Sequence, residues 1–185
     1  RYATNSLSML NATNNLLKRN FTANAPNQKW STDITYINAN GKWIYLAVVM
    51  DLYSRAIVGW ALQRYMTYDL IKEALEMAIA RRDIGEGLIV HSDRGIQYRS
   101  NEYRQKLIDK GFKISMSRKG DCWDNAVVES FFSRFKVECI YPSVFKSIDD
   151  AKIKIFEYIE IFYNRKRRHS ALCYISPMQF EQLNS

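Results

Sequence analysis

Cysteine and histidine are scarce in this chain, and their scarcity removes whole classes of function. Its 185 residues hold three cysteines, Cys122, Cys139 and Cys173, and two histidines. The cysteines stand at unrelated spacings with no C-x-x-C pair, so neither a zinc site nor a disulfide framework is expected. Free thiols in a reducing compartment are the simpler reading. Long apolar runs are missing too, since none approaches the roughly 18 residues of a membrane span. The start lacks the charged-then-apolar pattern of a secretion signal, and we find no internal repeat or low-complexity tract. A cytoplasmic protein with no membrane partner is expected. The chain opens on Arg1 without a methionine, which we read as a fragment of something longer.

What the chain has in excess is positive charge. There are 27 Lys and Arg against 19 Asp and Glu, a formal charge of +8. Clustered cations gain from neutralising phosphates and releasing counterions, so nucleic acid is the leading partner. The 47% hydrophobic content suits one well-packed core.

Residues 1–28, polar and broken by Pro26, read as an arm or linker. The stretch "KWSTDITYIN" alternates as a strand, with Trp30, Thr32, Ile34 and Tyr36 on one side and Ser31, Asp33, Thr35 and Ile37 on the other. Two more strand runs follow at 42–50 and 55–62, forming a meander. The aromatics Tyr36, Trp43, Tyr45 and Trp60 are assigned to the core. The spacing then turns helical from Thr67, which can cap the helix, to Arg82. A strand at 87–91, a helix at 100–110 ended by Gly111, a short strand at 112–115 and two helices, 126–138 and 148–164, complete the order; Ser147 and Asp150 have the form of a capping box. This order predicts an α/β fold, a mixed five-stranded sheet of the ribonuclease-H-like kind with helices on both faces. We divide the chain into an arm at 1–28, a catalytic core at 29–165 and a basic C-terminal tail at 166–185 packed on or near the core.

Three acids stand where a core has least use for them. Asp33 lies mid-strand, where it is either on a solvated face or in need of a partner. Asp93 follows the strand of "HSDRGIQY", where ligand sites of open α/β sheets gather, although a turn or cap role would also fit. At about 100° per residue, Asn125, Ser133 and Lys136 share the helix face of Glu129, while Val127 and Phe131 point away. Phosphodiester cleavage uses divalent cations, which take several carboxylates. Two strands and one helix can supply them.

The segments "WSTDITYI", "HSDRGIQYRS" and "SRKGDCWDNAVVESFFSRFKVE" resemble the catalytic core of retroviral-integrase-type DDE transposases, above all the OrfB-type transposases of the bacterial insertion sequence 3 family. The likeness covers residues from about 14 to 180. Asp93 and Glu129 are separated by 35 residues, the spacing of the D,D-35-E group, and the basic residue seven positions beyond the Glu falls on Lys136. The resemblance implies that Asp33, Asp93 and Glu129 form a catalytic triad binding two Mg²⁺ or Mn²⁺ ions. The family pattern also reaches Tyr163, Asn164, Arg168 and His169, but Cys173 stands where the family has Gly, which strains the turn if positive φ is required there.

The remaining candidates concern DNA. Between Arg94 and Lys119 there are eight cations against two acids; Arg118 and Lys119 would lie along a DNA end, and Lys136 would grip a phosphate near the scissile bond. Asn125, Arg168 and His169 are further candidate contacts. His91 is either a packed strand residue or a phosphate contact; Gln97 and Tyr98 either touch DNA or close their loop; Trp123 either stacks on a base or packs beneath its loop. The implied function is that of a DNA transposase catalytic domain: hydrolysis at a transposon end, then strand transfer by the freed 3′-OH into another site, in DNA integration and recombination. Two alternatives stay open, a nuclease of the same fold without strand transfer and a non-catalytic DNA-binding derivative. No convincing helix-turn-helix is present, so recognition of specific ends is expected from an upstream or separate module, and oligomerisation is expected on transposon-end and target DNA.

Overall fold

The computed structural model describes residues 14–118 and 122–184, excepting the side chains of Cys122 and Trp123. Lys119, the side chain of Trp123 and the first half of the expected arm therefore lie outside the described residues.

Five strands make one sheet: β1 (Lys29–Ala39), β2 (Lys42–Asp51), β3 (Ile57–Gln63), β4 (Ile89–Ser92) and β5 (Lys113–Met116). Their order across it is β3-β2-β1-β4-β5. The first three form the expected antiparallel meander, whereas β4 runs parallel to β1 and β5 parallel to β4. Parallel neighbours need crossover connections, and helices α1 (Tyr68–Arg81) and α2 (Asn101–Asp109) provide them. After β5 come α3 (Ala126–Phe135), α4 (Ile148–Phe156) and α5 (Pro177–Asn184).

Alternation along β2 splits the core in two. Ile44, Leu46, Val48 and Met50 face a cluster with Val128, Phe131 and Phe135 of α3 and Ala151 and Ile155 of α4. Ala47 and Val49 face the other way, towards Leu70, Ile71, Ala74 and Ala78 of α1 and Leu107 of α2. Helices thus cover both faces of the sheet, as the element order implied. The approach of α1 is set by Gly59, where a Cβ would meet the Ala74 carbonyl oxygen at 2.1 Å.

Several local expectations need correction. Thr67 occupies the N-cap position of α1 but its side chain makes no capping bond. Ser147 does cap α4, accepting from the Asp150 amide at 3.1 Å, while Asp150 reaches back to the Lys146 amide. Tyr36 and Trp43 are 59% and 55% exposed; they lean edge-to-face on each other at 5.3 Å instead of entering the core. Both long helices widen into π-type turns, at Lys136–Ile140 and Glu157–Tyr163, which no periodicity announced.

The described part of the arm, 14–28, has no helix or strand, yet it is not a free linker: Leu17 is 1% exposed and its amide donates to Ser115 Oγ at 3.1 Å. Beyond residue 165, Leu172 and Pro177 are buried. Asn164 donates to and accepts from the backbone of Ile57, both at 2.9 Å, closing the β3 edge. Arg82 joins Asp51 at 3.1 Å to Glu181 of α5 at 2.7 Å. Cys173 has φ of 55° and Tyr174 φ of 62°, so the family's Gly position is left-handed here.

Candidate active site

The parallel pairing of β1 with β4 matches Ser31 to His91. Asp33 and Asp93 each lie two residues further along, and period-two alternation puts Asp33, paired with Val48, on the face covered by α3. Asp33 is half-buried, and its Oδ1 accepts from the Ile34 amide at 2.8 Å. Asp93 sits just past the end of β4, where its Oδ1 accepts from the Gly95 amide at 2.8 Å. A Cβ on Gly95 would lie 3.0 Å from that same oxygen, so the turn tolerates no larger residue without a shift.

Helix α3 carries Glu129, which lies within electrostatic reach of Asp33 and Asp93. Asn125, immediately before the helix, donates through Nδ2 to the Thr32 carbonyl at 3.4 Å and accepts on Oδ1 from the Ser31 hydroxyl. Beneath it, Val128, Phe131, Phe132 and Phe135 are buried. Glu129 therefore occupies the first turn of a helix pinned at its start to the strand that carries Asp33.

The three carboxylates feel one another. Asp33 is pushed up to about 7, first by burial and then by the charges of Asp93 and Glu129, with the Ile34 amide opposing. Glu129 is raised by burial and then by Asp93. Among the described residues none of the three makes an ion pair. In this conformation, no three His, Cys, Asp or Glu side chains among the described residues are close enough to hold a metal ion. The set consists of oxygen donors that repel one another, with no ion-pair partner among the described residues.

The surrounding residues sort themselves by burial. His91 is packed, its ring nitrogens 2.8 and 3.2 Å from the hydroxyls of Ser115 and Ser117, and burial pushes it down to about 4. Tyr98 is buried with its hydroxyl 3.0 Å from Thr32 Oγ1, and Gln97 donates to the Met66 carbonyl at 3.0 Å, so both close the loop. Lys136 rests over the Tyr36 ring, 5.0 Å from its centroid.

Two expected DNA contacts are engaged by the protein itself. Asn125 is 3% exposed and its side-chain amide is committed to β1, which corrects its reading as a DNA ligand. Arg118 grips Asp124 through Nε and Nη2 at 3.2 and 3.1 Å, with its amide donating to the same carboxylate at 2.8 Å. Arg168 is exposed, and His169 is half-buried against Tyr163 with ring centroids 4.8 Å apart.

The sequence reading passed over Asp124, which is completely buried and also accepts from Asn15 Nδ2 at 2.8 Å and Arg19 Nε at 3.1 Å. These bonds hold its carboxyl well below the usual range, Arg118 being the largest cause. Its place just before a helix was the available signal. Arg55 and Arg134 were also missed, because neither belongs to a charge run.

Comparison with known proteins followed these features. Residues 23–122 match a family model described as an integrase core domain, and residues 110–177 match a second model of the same description. The chain is 50% identical over 170 residues to the transposase InsF for insertion sequence IS3A of Escherichia coli (strain K12), covering 92% of this chain and 59% of that protein. It is 46% identical over 182 residues to a 31 kDa protein of insertion element IS600 from Shigella sonnei, covering 98% and 67%. The chain thus spans about three fifths of the length of the InsF relatives. Among solved structures, it is similar to a chain of the simian T-cell lymphotropic virus intasome in complex with PP2A regulatory subunit B56 gamma, with TM-score 0.72, 16% identity and coverage of 86% of this chain and 56% of that one. It is also similar to the HTLV-2 integrase catalytic core domain in complex with magnesium, in its dimeric form, with TM-score 0.60, 18% identity and coverage of 85% and 97%. These likenesses show a ribonuclease-H-like fold.

Proposed function

Because the chain belongs to the integrase core domain family, as a member of the insertion sequence 3 transposases, we propose that it is a DNA transposase catalytic domain that cuts a phosphodiester at an element's end and joins the freed 3′-OH to a second phosphodiester. One observation supports this reading: Asp33 and Asp93 each lie two residues beyond the paired Ser31 and His91, and the charges of Asp33, Asp93 and Glu129 act on one another.

A set of oxygen donors without thiolate or free imidazole suits hard divalent cations, so the site fits Mg²⁺ or Mn²⁺, with Asp33, Asp93 and Glu129 as the residues that would hold two ions. Bound cations would supply charge neutralisation at the phosphate and activation of water or a 3′-OH. The protein's part is to hold the carboxylates. The Ile34 and Gly95 amides each fix one carboxylate oxygen, and the Asn125 tether keeps the helix start against β1. Lys136, over Tyr36, would offer its ammonium to a phosphate beside the cut.

Acting on two ends of an element calls for an oligomer on DNA and for a separate recognition module; the site would meet its substrate at the bacterial nucleoid. Asp33→Asn, Asp93→Asn and Glu129→Gln are each expected to abolish strand transfer from a pre-cut end while largely retaining DNA binding. Full activity in any of them would refute the assignment, and hydrolysis without joining in the unaltered protein would favour a nuclease. Calorimetric titration with Mn²⁺ provides a second check, with binding expected in the unaltered protein and lost in the Asp93→Asn variant.

A further inference from the structure

A cavity of about 570 Å³ is bounded on one side by α3, through Val127, Ser130, Phe131 and Arg134. Ser130 follows Glu129 in sequence but lies about 100° around the helix, so the cavity opens on a different flank of α3 from Glu129. The other walls include Arg55 from the turn between β2 and β3, and Arg167, Arg168 and His169 from the C-terminal segment. No acidic residue is among its described lining residues. Glu138 answers Arg167 at 2.7 Å, while Arg55, Arg134 and Arg168 make no ion pair among the described residues.

Two polar atoms here are buried without a hydrogen-bond partner: Arg55 Nη1 and His169 Nε2. An unanswered buried donor costs free energy, and an unanswered guanidinium costs more. The fold nonetheless holds Arg55 in place. Its backbone is left-handed, with φ of 64°, and its carbonyl accepts from the Tyr163 hydroxyl at 3.1 Å. Tyr163 in turn supports the His169 ring edge-on at 4.8 Å. Backbone strain at Arg55 and two buried nitrogens without partners, on a concave surface where Glu138 is matched to Arg167, point to an anion as the missing partner, and planar guanidinium groups match phosphate oxygens well.

We propose that this cavity seats a DNA backbone phosphate other than the one being cut, with the half-buried Arg55 and His169 as its inner contacts and Arg134 and Arg168 as its exposed ones. The proposal rests on the DNA-processing reading above and extends it with a second anchoring point for the strand. Such an anchor would fix the direction in which DNA crosses α3 before any chemistry begins.

The test is affinity for a short duplex, measured against salt in buffer free of divalent cations. Arg134→Gln and Arg168→Gln should each weaken binding several-fold and lower the slope of log affinity against log salt by about 1. Lys152→Gln, an equal loss of charge on the exposed surface of α4, should change neither. Arg55→Met should bind DNA more weakly yet melt at a higher temperature, because it removes an unpartnered buried cation; that pairing of effects is not expected of a merely structural arginine. If the unaltered protein binds no DNA, the DNA-processing reading falls together with this one. If it binds DNA and Arg134→Gln and Arg168→Gln keep its affinity and slope, or Lys152→Gln loses as much as they do, the pocket proposal alone is overturned. It is also overturned if inorganic phosphate raises the melting temperature of the unaltered protein but not of Arg55→Met while all these variants bind DNA equally, since the cavity then takes a free anion.

Discussion

Asp33, within β1, and Asp93, just past the end of the parallel strand β4, each lie two residues beyond the paired Ser31 and His91. Two carboxylates fixed this way repel each other and carry that cost into every metal-free state of the protein.

Asp33 shows the cost as a pH dependence. Burial, then Asp93 and Glu129, raise it to about 7, against about 4 in an unfolded chain. Between those values the folded state holds a proton that the unfolded state has released, so stability is greatest at the acid end and falls as pH rises towards 7. Asp33→Asn should flatten that segment of the profile and raise metal-free stability at pH 8 by about 2 kcal/mol. Chemical denaturation across pH 4–8 measures both, and an unchanged profile would contradict the burial argument.

Asp124 should behave oppositely. Its folded pKa is depressed chiefly by Arg118, so its contribution is present above about pH 4 and is lost as pH falls through the folded value. Asp124→Ala strands the Arg118 amide and releases Arg19 and Asn15, and should cost about 2 kcal/mol at neutral pH. Denaturant melts would give the loss, and faster proteolysis near residues 14–19 would locate it.

Gly59→Ala places a methyl group against the Ala74 carbonyl and the Ala78 side chain of α1. Helix backbone cannot yield as a flexible side chain can, so we expect a loss of about 3 kcal/mol. A urea melt within experimental error of the unaltered protein would show that α1 shifts freely on the sheet.

Cys173→Gly relieves the left-handed residue at φ of 55° and should stabilise the chain by about 1 kcal/mol. Cys173 is exposed and free, so no packing is lost. A lower melting temperature in this variant would contradict the strain argument.

Much of this architecture could be read from residue order because its signals are local. The alternation of 29–38, the helical stripe from Leu70 to Ala78 and the 35 residues between Asp93 and Glu129 each survive without tertiary information. What escaped was decided by partners distant in sequence. Asn125 looked like part of a wet helix face, but the crossing of α3 over β1 sets it against Ser31. Arg118 looked like a contact for a DNA end, but Asp124 is buried behind it. Tyr36 and Trp43 have strand chemistry, yet exposure depends on what lies above the sheet, which alternation does not report. Arg55 carries no motif at all, and its place in a cavity follows from the way the C-terminal segment folds back.

The two π-type turns have a consequence for how this chain can vary. Each widened turn rotates the phase of everything after it, and the two meet where the Tyr158 hydroxyl donates to Glu138 at 2.7 Å. Trimming one residue from a single bulge would swing one partner away and take the Glu138 clasp on Arg167 with it. Insertions and deletions in these helices are therefore tolerated only as compensating pairs, so the two segments must drift in step.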